Sequence, residues 1–314
     1  MAERTFIDDL KFRYKYGGTH IRFVLVNVAI FLAVGIGSLI AYLMDERGAF
    51  SLFIVKNFYA SSDPDWLLQK PWTILTYMFM HGGIFHILFN MVLLYFAGRI
   101  FEDLMGGKRL ATVYILGGLF ALLMHVFAFN VFPVYQSASH APVVGASGSV
   151  MAIFIALAAY APNMMVALFG IFRLKLQYLA LFYVLVDLLQ IQANDGVAHF
   201  AHLGGALFGW GFVFLLRKGT DLSFGFFRFL NFFKELFTFR KKDQPRMKVV
   251  KEKKRKGKKK SATSNKAHVT DNDGYLTQEQ KQHQIDAILD KISKHGYESL
   301  SSEEKEILFK ASNE

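Results

Sequence analysis

A serine set between glycines, Gly145-Ala146-Ser147-Gly148, stands at the mouth of an apolar run from Val150 to Ala158. Small neighbours let other backbones approach closely, and the first turn of a helix offers unpaired N–H groups and a positive dipole end. That setting suits an oxygen nucleophile whose reaction builds an oxyanion. The tetrapeptide by itself reads more readily as a small-residue packing seam between membrane helices than as a catalytic site. Other residues tilt the balance. His202 supplies a general base, and Gly205 and Gly209 follow it at i+3 and i+7 on a face without side chains. His86 and Asn90 lie four residues apart, on one helical face, and supply two neutral hydrogen-bond donors. Nucleophile, base and oxyanion donors together are the parts of an acyl-transfer site.

The elements that must position these residues are long apolar runs. Hydrophobic residues make up 53% of the 314-residue chain, with 33 Phe, and they are blocked rather than dispersed. The runs cover 21–44, 83–101, 110–132, 144–161, 174–191 and 197–216, which predicts six transmembrane helices. The first is too long for a signal peptide and lacks a small-x-small cleavage site, so it is expected to be retained. Lys and Arg gather in the N-terminal tail, in the turns at 102–109 and 162–175, and after Arg217. By the positive-inside rule both termini are cytoplasmic, and the loops at 45–80, 133–143 and 192–196 face outward. The 45–80 loop is rich in aromatic residues and is expected to lie on the membrane interface. With this topology Ser147, His202, His86 and Asn90 come from three helices to one level near the outer face. Polar side chains in such helices are costly and usually functional or paired.

Cysteine is absent, so disulfides, thiol nucleophiles and thiolate metal sites are excluded. The net charge of +11 equals the surplus of the tract Arg240–Lys260 alone, where 13 Lys/Arg face 2 Asp/Glu. A generally basic nucleic-acid binder is therefore excluded, and the tract is expected to meet anionic lipids of the inner leaflet. The expected organisation is a cytoplasmic tail at 1–20, a membrane domain at 21–217 and a Phe-rich interfacial amphipathic helix at 218–240. A disordered polybasic linker at 241–272 and a small C-terminal helical hairpin at 273–314 complete it. In the hairpin, Ile285, Ile288, Leu289 and Ile292 form one apolar face, and a cytoplasmic partner of unknown identity is expected for it.

In order and spacing these motifs resemble the rhomboid family of intramembrane serine proteases. The match comprises His81-x4-His86-x3-Asn90, Gly98-x3-Glu102-x3-Gly106, Gly145-x-Ser147-Gly148 and Ala201-His202-x2-Gly205-x3-Gly209, across about residues 21–217. The resemblance implies an all-α six-helix bundle and a Ser147–His202 dyad with no carboxylate third member. It also implies an oxyanion hole from His86, Asn90 and the Ser147 backbone N–H. Gly145, Gly148, His81, His199, Gly205 and Gly209 support that site. Two positions depart from the family pattern. Thr73 follows Trp72 where an arginine is usual, so the outer loop must be held differently. Met151 stands where an aromatic ring often stacks on the catalytic histidine.

His199, at i−3 from His202, orients that ring or caps its helix. Asp187 is expected to pair with an outer-loop group. His81, His86, His199 and His202 could be imagined around zinc, but no carboxylate or His-Glu-x-x-His pattern accompanies them, so neither metal nor cofactor is expected. A non-catalytic relative that binds transmembrane helices would be expected to lose Ser147 or His202, and both are present. The expectation is a Ser-His endopeptidase acting on single-span membrane proteins, with the bacterial inner membrane as its location.

Overall fold

A computed structural model describes residues 5–138, 140–168, 172–192, 198–237, 278–295 and 297–311. The chain forms two compact units, 1–242 and 243–314. The first unit is helical throughout its membrane part. It begins with α1 (Phe6–Tyr16), α2 (Gly18–Leu43) and α3 (Arg47–Phe58), then the short α4 (Pro64–Gln69) and α5 (Thr73–Thr76). There follow α6 (Ile84–Met105), α7 (Gly107–Val131), α8 (Ser147–Tyr160), α9 (Leu176–Leu189), α10 (His199–Arg217) and α11 (Leu222–Phe237). Four of these, α2, α6, α7 and α10, are long and apolar enough to cross a membrane; α8 and α9 are apolar but shorter. The chain is a multi-pass membrane protein.

Two small strand pairs depart from the all-α expectation. β1 (Ala60–Ser61) pairs antiparallel with β2 (Pro142–Val143), and β3 (Met165–Leu168) with β4 (Phe172–Lys175). The second pair occupies what reads in sequence as a plain basic turn. Alternation of short apolar residues with Arg173 and Lys175 is too brief a pattern to distinguish a strand from a turn.

The core sits around α8, in which every residue from Gly148 to Ala158 is buried. α10 and α7 flank it, and glycines set the spacing. A Cβ on Gly205 would run into the Gly148 carbonyl oxygen, one on Gly209 into that of Ala152, and one on Gly117 into the Ala152 side chain. Backbones in such contact leave no room for side chains. α2 lies at the rim. Of its residues only Asn27 and Ala41 are buried, while Leu32, Ile36, Leu39 and Ile40 face outward.

The Glu102 carboxylate, near the end of α6, ties α2 in place. It accepts from the Thr19 N–H at 2.8 Å and the His20 N–H at 3.0 Å, and lies 2.7 Å from His20 Nδ1. These are the unpaired N–H groups of the first turn of α2, where a negative charge also meets the positive dipole end. Gly107 has no side chain because a Cβ would strike Thr19 Oγ1, and Gly106 ends α6 with φ of +86°.

The segment between α3 and α6 is pinned by polar contacts. Trp72 Nε1 donates to the Asn57 carbonyl at 2.7 Å, Thr73 Oγ1 to that of Lys70 at 2.7 Å, and Thr76 Oγ1 to that of Phe58 at 2.9 Å. Thr73 is fully buried, and these bonds hold the segment without an arginine at that position. Tyr77 is not an interfacial aromatic. Its ring is buried and its hydroxyl donates to the Gly118 carbonyl of α7 at 2.6 Å.

α11 presents Phe224, Phe229, Phe232 and Phe233 on its exposed surface. It is joined to the start of α7 by Arg109, whose Nε donates to Asp221 at 2.9 Å. In the second unit, α12 (Gln278–His295) and α13 (Ser302–Ala311) are linked by an ion pair, Lys291 Nζ to Glu304 at 2.8 Å. Ser301 Oγ accepts from the Glu304 N–H, and Glu304 accepts from the Ser301 N–H, a reciprocal capping box. The expected polybasic linker at 241–272 and Asp195 of the loop at 192–196 lie outside the described residues.

Candidate active site

Ser147 is the first residue of α8, half-buried, with buried residues on either side. The loop before it is pinned, since the Gly145 N–H donates to the Tyr77 carbonyl at 3.0 Å. Gly145 has φ of +125°, a conformation that side chains disfavour. Space excludes one too. A Cβ there would lie 2.6 Å from His86 Nε2 and 3.6 Å from Ser147 Oγ. The glycine thus lets an imidazole nitrogen and a serine hydroxyl share one small volume.

His86, in the first turn of α6, receives the Gly82 N–H on Nδ1 at 3.4 Å. A ring that accepts at Nδ1 carries its proton on Nε2, so the nitrogen beside Gly145 is a donor. Asn90 is buried, and its Nδ2 donates to the His86 carbonyl one turn back at 2.8 Å. In this state the amide serves its own helix. His81 is buried edge-on to His86, with ring centroids 5.2 Å apart. Burial pushes its imidazole down to about 4, and His86 adds to the effect, so His81 is neutral. Neither of its ring nitrogens has a hydrogen-bond partner among the described residues.

His202 lies in the first turn of α10, three residues before Gly205, the residue in backbone contact with Gly148. Nucleophile and imidazole therefore stand at neighbouring turns of two touching helices. Among the described residues no hydrogen bond joins Ser147 Oγ to His202. Such bonds are often long before substrate binds. Met151, one turn past the serine, is buried in the core.

One expectation is overturned here. Asp187 does not pair with an outer-loop group; it is buried in α9, and its Oδ1 lies 2.9 Å from His202 Nδ1 and 2.7 Å from His199 Nδ1. The supposition that no carboxylate accompanies the histidines fails with it. Asp187, His199 and His202 offer ligand atoms within 4.8 Å of one another, the one described group that could hold a metal ion. Hydrogen bonds of ordinary length already account for that closeness, and His81 and His86 belong to a different pair. Asp187 had a signal in the sequence, as a lone carboxylate in an apolar run. Tyr77 and Gly82 had none, because both act through backbone groups.

The Rhomboid domain family model matches residues 68–219, from the loop before α6 to the end of α10. These residues belong to the rhomboid family. The chain is 32% identical over 164 residues to "RHOMBOID-like protein 12, mitochondrial" of Arabidopsis thaliana, covering 49% of this chain and 48% of that protein. It is 28% identical over 215 residues to "Rhomboid-like protein 11, chloroplastic" of the same plant, covering 64% of this chain and 66% of the relative. A third plant relative, "Inactive RHOMBOID-like protein 8", is 33% identical over 85 residues, covering 27% of this chain and 24% of that protein. The chain spans about half the length of the first of these relatives. A family of unknown function, DUF6576, matches residues 276–314, which include α12 and α13.

Proposed function

We propose that the chain is an intramembrane serine endopeptidase that cuts single-span membrane proteins in or near their transmembrane segment. The observation that carries this reading is the shared volume at Gly145, where His86 Nε2 and Ser147 Oγ both lie against a residue without a side chain. His202 takes the proton of Ser147 as the hydroxyl attacks a peptide carbonyl. The developing oxyanion is held by His86 Nε2–H, by the Ser147 backbone N–H at the helix start, and by Asn90 once its amide turns from its own helix. Water then hydrolyses the acyl-enzyme. Substrate helices must unwind locally, because a regular helix keeps its carbonyls in its own hydrogen bonds.

All six apolar helices cross or enter the bilayer in this proposal. At about 1.5 Å per residue, α8 is roughly 21 Å long against a hydrocarbon core of about 30 Å. A helix that short starts below the outer surface, which puts Ser147 in a recess that water can reach from outside. Lys and Arg in the flanks favour cytoplasmic termini. The basic tract at 240–260 and the exposed Phe face of α11 favour a second attachment, at the anionic inner leaflet. The cysteine-free chain favours a bacterial inner membrane. The relatives named mitochondrial and chloroplastic make an organellar membrane the alternative. The 273–314 segment is assigned to an unidentified cytoplasmic partner.

A relative named inactive and the open Ser147–His202 contact favour a second reading, a rhomboid that binds transmembrane helices without cutting them. Purified full-length protein in liposomes separates the two. Wild type should cut a single-span reporter, and Ser147→Ala and His202→Ala should lose activity by several orders of magnitude. Reporter that binds wild type and stays whole would sink the protease.

A further inference from the structure

We infer that Asp187, held in place by His199, is a positioning residue for His202, so that the working unit is Ser147–His202–Asp187 rather than a dyad. The inference rests on the protease reading and goes beyond it by adding a carboxylate from a third helix. Asp187 is 6% exposed and His199 5% exposed. A buried carboxylate requires donors, and Asp187 Oδ1 meets two, at 2.7 Å and 2.9 Å. An ionised carboxylate only accepts, so both imidazoles present Nδ1–H to it. For His202 this fixes the tautomer, with the proton on Nδ1 and the lone pair on Nε2, the nitrogen left for Ser147. It also fixes the ring plane, since rotation about the Cβ–Cγ bond would break the contact.

His199 and His202 are one turn apart on α10 and converge on the same oxygen of α9. His199 thereby fixes the carboxylate, and the carboxylate fixes His202. In the reaction the Ser147 O–H bond breaks and its proton moves to His202 Nε2 while the Oγ–carbonyl carbon bond forms. The carbonyl π pair becomes the oxyanion, and the imidazolium later returns the proton to the leaving amine. Asp187 neither gains nor loses a proton; it balances the imidazolium charge between those two events. The other titratable groups around the site are His86 in the first turn of α6, His81 in the segment before it, and His125 on α7, whose ring lies on Phe129. Among the described residues, Asp187 is the carboxylate bonded to His202.

Two readouts test this. The first is reporter cleavage in liposomes by wild type, Ser147→Ala, Asp187→Asn, His199→Gln and the Asp187→Asn/His199→Gln double variant. Asp187→Asn should lower kcat by about 10²- to 10⁴-fold with KM within about threefold, because orientation and tautomer act on the reacting imidazole and not on substrate binding. His199→Gln should cost about tenfold, and the double variant should be no worse than Asp187→Asn. A kcat within threefold of wild type for Asp187→Asn overturns the positioning role and leaves the protease standing. Losses that multiply in the double variant overturn the relay through His199. The second readout is nitrogen-15 NMR of histidine-labelled wild type, with His202 assigned by His202→Gln. It needs neither substrate nor a folded Asp187 variant. The expected signal is a neutral ring with its proton on Nδ1; a proton on Nε2 overturns the proposal. Failure of the protease reading looks different, since wild type would then cut no more than Ser147→Ala whichever tautomer is found.

Discussion

α8 and α2 are both apolar helices of one membrane unit, and they are held by opposite means. α8 has 14 residues and is buried from Gly148 to Ala158, with neighbouring backbones against its glycine and alanine positions. α2 has 26 residues and buries two of them, and a single carboxylate beyond its first turn ties it to α6. Apolar character selects for the membrane in both cases. Position within the bundle is set by something else: the absence of side chains for α8, and polar contacts for α2, from Glu102 at its first turn and from the buried Asn27, whose Nδ2 donates to the Tyr114 hydroxyl of α7 at 3.1 Å. Ser147 and His202 sit on helices of the first kind, α8 and α10, where geometry is fixed by backbone atoms that cannot move aside.

The sharpest way to break this contrast is to put side chains into the seam. Gly205→Val drives a Cβ into the Gly148 carbonyl, which is backbone and cannot rotate away. The expected loss is about 3 kcal/mol or more, with no monodisperse protein in detergent; a normal melting curve would show that the helices are not held so tightly. Gly145→Ala is the next largest. Its φ of +125° and His86 Nε2 at 2.6 Å both oppose a methyl group. Activity on a reporter should fall at least about tenfold as His86 is displaced, and retention of full activity would separate His86 from the reaction. Glu102→Gln keeps shape but loses the charge on the first turn of α2, and the expected cost is about 1–2 kcal/mol in thermal unfolding. A cost near zero would mean that α2 is held chiefly by its apolar side. Smallest is Ile36→Ala on the outward face of α2, expected within about 0.5 kcal/mol of wild type. A large loss there would reveal a packing partner for that face.

What could be read in the sequence follows the same division. Helices announce themselves by length and apolar content, so the six runs stand out. Ser147, His202 and the glycines at 145, 148, 205 and 209 could be singled out because small residues at helical spacing mark a close approach. The partner of Asp187 could not be named. It lies 12 residues from His199, across a loop whose length does not fix the rotation of α9 against α10. The strand pair at 165–175 was illegible because its alternation is brief, and the burial of Tyr77 because a tyrosine in an aromatic loop reads as interfacial. Thr73 and Trp72 show a related limit. Their partners are backbone carbonyls of Lys70 and Asn57, which any residues at those positions would offer.

The clamp at Glu102 has a consequence for how the chain is assembled. Synthesis runs from α2 toward α6, and Glu102 follows Thr19 by 83 residues. The first long apolar helix made is therefore docked at its first turn only after a later one has been completed, and order of manufacture and order of attachment are reversed. The rhomboid-domain match also begins at residue 68, past α2 altogether. A chain cut in two between α2 and α6 should then reassemble inside one membrane, with the Glu102 carboxylate as its latch. Co-expressed halves that purify together, and separate when Glu102→Gln is introduced, would describe α2 as a built-in subunit joined to its partner by a length of peptide.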